Sequence, residues 1–261
     1  MTRRAGVLGW PVAHSRSPAI HEAAYAAAGL EGWRYQLLPV PPALFDETLR
    51  ALPGAGFVGA NVTIPHKEAA LAAADTATDA ARAIGAANSV SFDGARVEAD
   101  NTDAPGFLAA LGEPPTGRAV VLGAGGSARA VAWALCSAGA EVEVWNRTPE
   151  RAERLAAELG VRAVTTVEPG GLLVNCTAVG LEGEDPFAAL PLEPGRMGEW
   201  DVVADLVYGA GETALIRDAR EAGARVVDGL EVLVRQGALS FERWTGVPAP
   251  VEAMRAAAGL K

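Results

Sequence analysis

Two rhythms of apolar residues alternate along the chain. Short runs rich in Val, Leu and Ala read as buried strands, and the segments between them repeat apolar positions at helical spacing. RAGVLGW (4–10), WRYQLLPV (33–40) and GFVGANVTI (56–64) are the first three expected strands. A helical pattern follows each: from Ser17-Pro18 to about Gly29, over 41–52, and from about Pro65 to Ala74. The first of these has serine at its cap, proline in its first turn and glycine at its stop. AANSVSFDGARVEADN (86–101) predicts a hairpin turning at Asp93-Gly94, because Asp-Gly accepts the backbone of a tight turn. A helix is expected from about Asp103 to Leu111.

A second series begins at Arg118. AVVLGAGGSARAVAWALCSAG reads as a buried strand, a glycine-rich turn and a helix. EVEVWN is the next strand, 149–159 a helix, and LLVNCT, VVADLV and ARVVDG further strands. Strands alternating with helices predict a parallel sheet covered on both faces. The last two helices, 230–244 and 250–258, have no strand after them. They are expected to return to the first unit. The fold class is therefore α/β, with an N-terminal α/β substrate domain and a Rossmann-type doubly wound parallel sheet. The boundaries are expected at 1–101 with 237–261 for the first domain, and 102–236 for the second.

Composition sharpens this picture. The chain has 261 residues, half hydrophobic and 21% charged, a globular balance. The net charge of −10 repels a phosphate backbone, so nucleic acid is not an expected partner. The most apolar stretch, 119–140, is interrupted by glycines, Ser127 and Arg129, so no membrane span is expected. Cys136 and Cys176 lie in apolar segments and read as buried small hydrophobes rather than a disulfide framework. With no charged-then-apolar leader, a cytoplasmic protein is expected.

One imbalance directs attention to single residues. The chain holds two lysines, Lys67 and Lys261, against twenty arginines, with five asparagines and two glutamines. Heat adaptation and a GC-rich genome both produce such depletion. A Lys, Asn or Gln that remains is then more informative than usual.

Gly123-Ala124-Gly125-Gly126-Ser127-Ala128 follows an expected strand and opens an expected helix. Gly123 permits the tight turn, and Gly125 and Gly126 leave room for a pyrophosphate beside backbone N–H groups at the helix start. The next strand ends in Trp145-Asn146-Arg147-Thr148. An acidic residue near there serves the ribose hydroxyls of NAD. Here an amide, a guanidinium and a hydroxyl stand instead, and Arg147, assisted by Arg151, suits the 2′-phosphate of NADP. In the first unit, Asn61-Val62-Thr63-Ile64-Pro65-His66-Lys67 leaves a strand and turns at proline into a helix. That places Thr63 and Lys67 at the C-terminal edge of the sheet, where α/β folds bind ligands. A lysine there can protonate the oxygen of a ketone receiving a hydride. Asp103 can pair with it; it can also be a helix N-cap, a role for which Thr102 competes, and the two readings are compatible. Asn88 is an amide where strands disfavour one, and Ser15 and Ser17 precede a helix start that suits a carboxylate. Ser17 also reads as an N-cap. The three histidines are not spaced for a metal, and no metal site is expected.

Taken together, HSRSP, NVTIPHK, AANSV, DNTDAPG, GAGGSARA, NRTPERA, NCTAVG, DLVYG and GLEVLVRQGALSFERWTG, in this order over about 14–246, resemble the shikimate dehydrogenase family. The glycine turn is common to many dehydrogenases; HSRSP, NVTIPHK and DNTD together are far more specific. The resemblance implies reversible reduction of 3-dehydroshikimate to shikimate with NADPH, in aromatic amino-acid biosynthesis, by a monomer or homodimer. It implies Lys67 and Asp103 as the catalytic pair. Ser15, Ser17 and Tyr208 would meet the carboxylate, and Thr63, Asn88, Asp103 and Gln236 the hydroxyls and ring. Gly123, Ala124, Gly125, Gly126, Ser127 and Ala128, with Asn146, Arg147, Thr148 and Arg151, would hold NADP, and Thr177 and Gly229 would lie near its nicotinamide. One departure is visible: the family commonly has proline after DLVY, and Gly209-Ala210-Gly211 stands here. A quinate/shikimate enzyme using NAD or both cofactors is the neighbouring alternative, and a non-catalytic NADP-binding protein another. A glutamyl-tRNA reductase would need a cysteine nucleophile early in the chain, and none precedes Cys136.

Overall fold

The structure is a computed structural model that describes residues 2–113, 117–209 and 211–260. Lys261 and Ala210, the latter within the stretch that departs from the family pattern, lie outside the described residues. The chain divides into two compact units, Met1–Gly106 with Leu233–Lys261, and Phe107–Val232. The sequence reading put these boundaries at 101/102 and 236/237. Both observed boundaries fall inside helices, where no loop or composition change marks them.

The first unit runs β1 (Arg3–Gly9), α1 (Ser17–Ala27), β2 (Trp33–Pro39), α2 (Phe45–Ala51), β3 (Gly59–Val62), α3 (Lys67–Ala73), β4 (Thr76–Ala77), α4 (Asp79–Ile84), β5 (Ser89–Asp93), β6 (Arg96–Asp100) and the start of α5 (Asp103–Leu111). Its sheet has the order β2-β1-β3-β5-β6-β4. β1 pairs in parallel with β2 and β3, and β5 runs antiparallel to both β3 and β6. The third strand is shorter than the pattern suggested. Only 59–62 stays in the ladder, because the backbone leaves it at Thr63 towards Pro65 and Phe57 makes only an isolated bridge to Arg4.

The second unit runs β7 (Arg118–Leu122), α6 (Gly126–Ser137), β8 (Glu141–Trp145), α7 (Pro149–Leu159), β9 (Arg162–Ala163), β10 (Leu172–Asn175), α8 (Pro186–Ala189), β11 (Val202–Asp205), α9 (Ala214–Glu221) and β12 (Arg225–Asp228). Its six strands are all parallel, in the order β12-β11-β10-β7-β8-β9. That is the Rossmann order, reversing between β7 and β10. α6 turns Ala128, Val131, Ala132 and Leu135 into the core at helical spacing. Cys136 falls just off that stripe and is exposed, contrary to expectation, while Cys176 is half-buried.

The chain then enters α10 (Gly229–Thr245) and α11 (Val251–Ala258). Val234, Ala238, Phe241, Trp244, Met254 and Ala258 join the core of the first unit with Ala5, Val7, Ile20 and Tyr25. The Arg16 guanidinium donates to the Ala258 carbonyl at 3.1 Å. Among the described residues, no helix is long and apolar enough to cross a membrane.

Candidate active site and nucleotide site

The first unit changes direction between β1 and β3. Parallel sheets bind ligands outside the carboxyl ends of strands at such a switch point. β1 ends at Gly9, where a Cβ would lie 2.5 Å from the Thr63 methyl. Only glycine lets Thr63 sit this close, with its N–H donating to the Leu8 carbonyl at 2.9 Å. After the turn, buried His66 donates from Nε2 to the Val40 carbonyl at 2.7 Å and stacks on Phe45. α3 therefore starts from an anchored residue, and its first side chain is Lys67.

Lys67 Nζ donates to Asp103 Oδ2 at 2.5 Å, with the two side chains 10% and 13% exposed. The other oxygen of Asp103 accepts from Asn88 Nδ2 at 2.8 Å. The Asn88 amide nitrogen is also 3.0 Å from Thr102 Oγ1 and 3.1 Å from Gln236 Oε1, and its oxygen accepts the Thr102 N–H at 2.6 Å. Gln236 reaches this cluster because α5 and α10 approach closely at Gly106, where a Cβ would lie 2.7 Å from the Gln236 nitrogen. Behind the cluster, Tyr35 donates to Asn61 at 2.7 Å and Asn61 donates to Ser240 at 2.8 Å. Such a network is rigid because each member is costly to leave unpaired in a low dielectric.

The helix start at α5 resolves the ambiguity over Asp103. The Ala104 N–H is accepted by Asn101 Oδ1 at 3.2 Å, and Asn101 donates to the Ala86 carbonyl at 2.9 Å. Asn101 satisfies the helix end, and the Asp103 carboxylate faces the lysine instead. Ser17 is likewise not the cap of α1. That position is Arg16, with no side-chain cap. The Ser17 N–H goes to Ser15 Oγ at 3.3 Å, and the two hydroxyls are 3.2 Å apart. The Ser17 hydroxyl is thus not spent on the helix.

The structure joins Lys67, Asp103, Asn88 and Gln236 by direct hydrogen bonds. Tyr208 lies in the second unit, half-buried beyond the end of β11. Asn61, Asn101, Thr102 and Ser240 were missed as parts of the site. Asn88 was singled out by its strand position, while the scarcity of asparagine pointed equally to Asn61 and Asn101.

In the second unit the glycine turn leaves β7 at the switch point. Gly123 has φ +112°, and a Cβ there would lie 3.2 Å from the Cys176 backbone. A Cβ on Gly125 would meet nothing within 4 Å, so the space beside the turn is open. No side chain caps α6, and the Arg129 N–H bonds back to the Gly125 carbonyl at 2.9 Å. The first N–H groups of a helix have no carbonyl partner within it, and such an end suits a phosphate. Asn146 is half-buried and donates to the Thr148 carbonyl at 2.9 Å. Arg147, Thr148 and Arg151 are exposed. Neither arginine has a carboxylate within ion-pair distance among the described residues. An open cradle of N–H groups with two exposed guanidinium groups at the next strand end fits a dinucleotide carrying a 2′-phosphate. Thr177 follows β10 and donates its N–H (3.0 Å) and hydroxyl (2.7 Å) to Asn175 Oδ1. Gly229 opens α10, where a Cβ would lie 2.7 Å from the Asp205 carbonyl. No group of three or more His, Cys, Asp or Glu side chains suited to a metal occurs among the described residues.

A Rossmann-ordered sheet with this turn, in one chain with a unit carrying a buried lysine–carboxylate pair, defines a nucleotide-dependent oxidoreductase of α/β type. Three family models match: the shikimate dehydrogenase substrate binding domain over 7–90, shikimate / quinate 5-dehydrogenase over 110–171, and the shikimate 5′-dehydrogenase C-terminal domain over 229–258. The chain is 49% identical to a shikimate dehydrogenase (NADP(+)) of Thermus thermophilus, over 98% of this chain and 99% of the relative. It is similar to the crystal structure of a Thermus thermophilus shikimate 5-dehydrogenase in complex with NADP(H) and shikimate. There the TM-score is 0.88 at 45% identity, covering 99% of each chain. A ligand-free 5-ketofructose reductase of Gluconobacter sp. strain CHM43 is also similar, with TM-score 0.84 at 33% identity over 99% of this chain and 98% of that one. The chain belongs to the shikimate dehydrogenase family.

Proposed function

We propose that this chain reversibly reduces 3-dehydroshikimate to shikimate with NADPH, as a cytoplasmic enzyme of aromatic amino-acid biosynthesis. The observation that carries the reading is the buried contact between Lys67 and Asp103. When bound, NADPH supplies the hydride that reaches C3 of the substrate. Lys67 gives a proton to the oxygen at that carbon, so the ketone becomes an alcohol, and in the reverse direction Lys67 takes that proton back. Asp103 orients the amine by one oxygen while its other is fixed by Asn88.

The remaining assignments follow from chemistry. Asn88, Gln236 and Thr63 bond substrate hydroxyls on this reading, and Ser15, Ser17 and Tyr208 meet its carboxylate. The N–H groups of 123–128 hold the pyrophosphate, Arg147 and Arg151 the 2′-phosphate, with Asn146 and Thr148 shaping that strand end. Thr177 and Gly229 border the nicotinamide. On this reading the first domain is the substrate-binding one and the second the NADP-binding one.

The direct test is NADP+ reduction by shikimate with purified protein, followed by NADPH absorbance, with quinate and NAD+ in parallel. Turnover with shikimate and NADP+ above every other combination supports the proposal. Faster turnover of quinate, or of neither acid, refutes it.

A further inference from the structure

Asp205 is the last residue of β11 and is 1% exposed. Its carboxylate gathers partners from several directions. Oδ1 accepts from Asn175 Nδ2 at 2.9 Å, at the end of β10, and from the Val207 N–H at 3.1 Å. Oδ2 accepts the Thr213 hydroxyl at 2.7 Å, and Thr213 is the cap of α9. Asn175 in turn fixes Thr177 through two hydrogen bonds and donates to the Val179 carbonyl at 3.3 Å. One buried acid thus ties 175–179, which leaves β10 beside the switch point, to Val207 and Thr213 after β11. Asp228 stands in register on β12, and its own carboxylate accepts the Leu230 N–H at 2.8 Å.

We propose that Asp205 is a positioning residue for the nicotinamide end of the nucleotide site, acting through Asn175 on Thr177 and directly on Val207 and Thr213 after β11. The proposal rests on the reading that Thr177 borders the nicotinamide.

Several features support it. All three hydrogen bonds to Asp205 are donated to it, so the arrangement is built for a carboxylate. Burial nonetheless pushes its carboxyl up to about 6, against the pull of Thr213, Val207 and Asn175, and Asp228 pushes the same way. A group held ionised at neutral pH against its burial costs stability there, which offsets the hydrogen bond that an asparagine of the same shape would lose. Asp205 also lines a cavity of about 280 Å³ with Val179, Thr213 and Leu215, which gives protons a route to it. The other acids on that cavity are Glu184, held below its ordinary range by loop N–H groups, and Glu212, paired with Arg220.

The test compares two ligands that differ only in the ring: NADP+ and 2′-phospho-ADP-ribose, which lacks the nicotinamide. Asp205→Asn is expected to weaken NADP+ by about fivefold, roughly the worth of one hydrogen bond, to leave 2′-phospho-ADP-ribose unchanged, and to keep or raise Tm. In the wild type, the ratio of the two affinities should fall as pH drops through about 6, and the variant should flatten that dependence. Equal weakening of both ligands would make Asp205 merely structural and overturn the proposal. If Asp205→Asn does not fold, a wild-type ratio that is flat with pH overturns it alone. Thr177→Val separates the two readings. A changed ratio in Thr177→Val with none in Asp205→Asn defeats Asp205 only. No change in Thr177→Val defeats the placement of Thr177, and the Asp205 proposal with it.

Discussion

The groups assigned to function lie at equivalent points in the two units, the switch points of their sheets, and differ in kind. In the first unit the groups assigned to chemistry are buried side chains bonded to one another: Lys67 to Asp103, Asp103 to Asn88, Asn88 to Gln236 and Thr102. In the second, the groups assigned to the nucleotide are backbone N–H groups of a glycine turn and the exposed side chains of Arg147, Thr148 and Arg151. A backbone cradle depends on the path of the chain and tolerates changes in side chains around it. A side-chain network depends on every member. Damage in the first unit should therefore cost activity and stability together, and damage in the second should stay local.

The largest effect is expected at Lys67. Lys67→Ala should lower turnover by about 100- to 10,000-fold, the usual worth of a positioned acid, while NADP+ binding, measured by titration, persists. Near-normal turnover would remove the catalytic assignment. Next comes acid sensitivity of the first unit. His21 is wholly buried, stacked on Tyr35, and burial pushes its imidazole down to about 3. Its folded value lies below the unfolded value of 6.5, so between the two the unfolded chain binds more protons. The stability it contributes is present above pH 6.5 and falls as pH drops toward 3, by on the order of 4 kcal/mol. Urea unfolding at about pH 7, 5 and 4 follows this, and His21→Phe should flatten the dependence.

A smaller effect is expected at the helix crossing. Gly106→Ala places a Cβ 2.7 Å from the Gln236 backbone, an overpacking worth about 1–3 kcal/mol, and should raise KM for shikimate as Gln236 is displaced. A fall in stability without a change in KM would loosen the link between packing and site. The smallest effect is Arg147→Ala. It should leave Tm nearly unchanged, as exposed substitutions do, and weaken NADPH by about tenfold with little change for NADH. Equal loss with both cofactors, or a large fall in Tm, would contradict the contrast between the units.

Much of this was legible before the fold. The strand–turn–helix at Gly123 and the alternation of strands predicted the nucleotide unit, because a Rossmann site is written in contiguous sequence. Lys67 stood out through the near-absence of lysine elsewhere. The network behind it was harder to read, because its members lie far apart in the chain: Tyr35, Asn61, Asn101 and Ser240 meet only through long-range pairing. Local capping rules misassigned Ser17 and left Asp103 ambiguous for a related reason. Neighbours hold the cap positions: Arg16 stands at that of α1, and Asn101 accepts the Ala104 N–H at the start of α5. The short strands β4 and β9, and α4 and α9, were also missed, being brief or strongly polar.

The first unit is completed by α10 and α11, which follow the second unit in the chain. Ribosomal synthesis proceeds from the N-terminus, so residues 107–232 emerge with their whole core while Ala5, Val7, Ile20 and Tyr25 still lack Phe241 and Met254. The half made first is thus finished last, and Gln236 joins Asn88 only in the closing stage of translation. A stalled or truncated chain would carry a finished nucleotide fold and an uncovered apolar face, a sound target for chaperones and proteases.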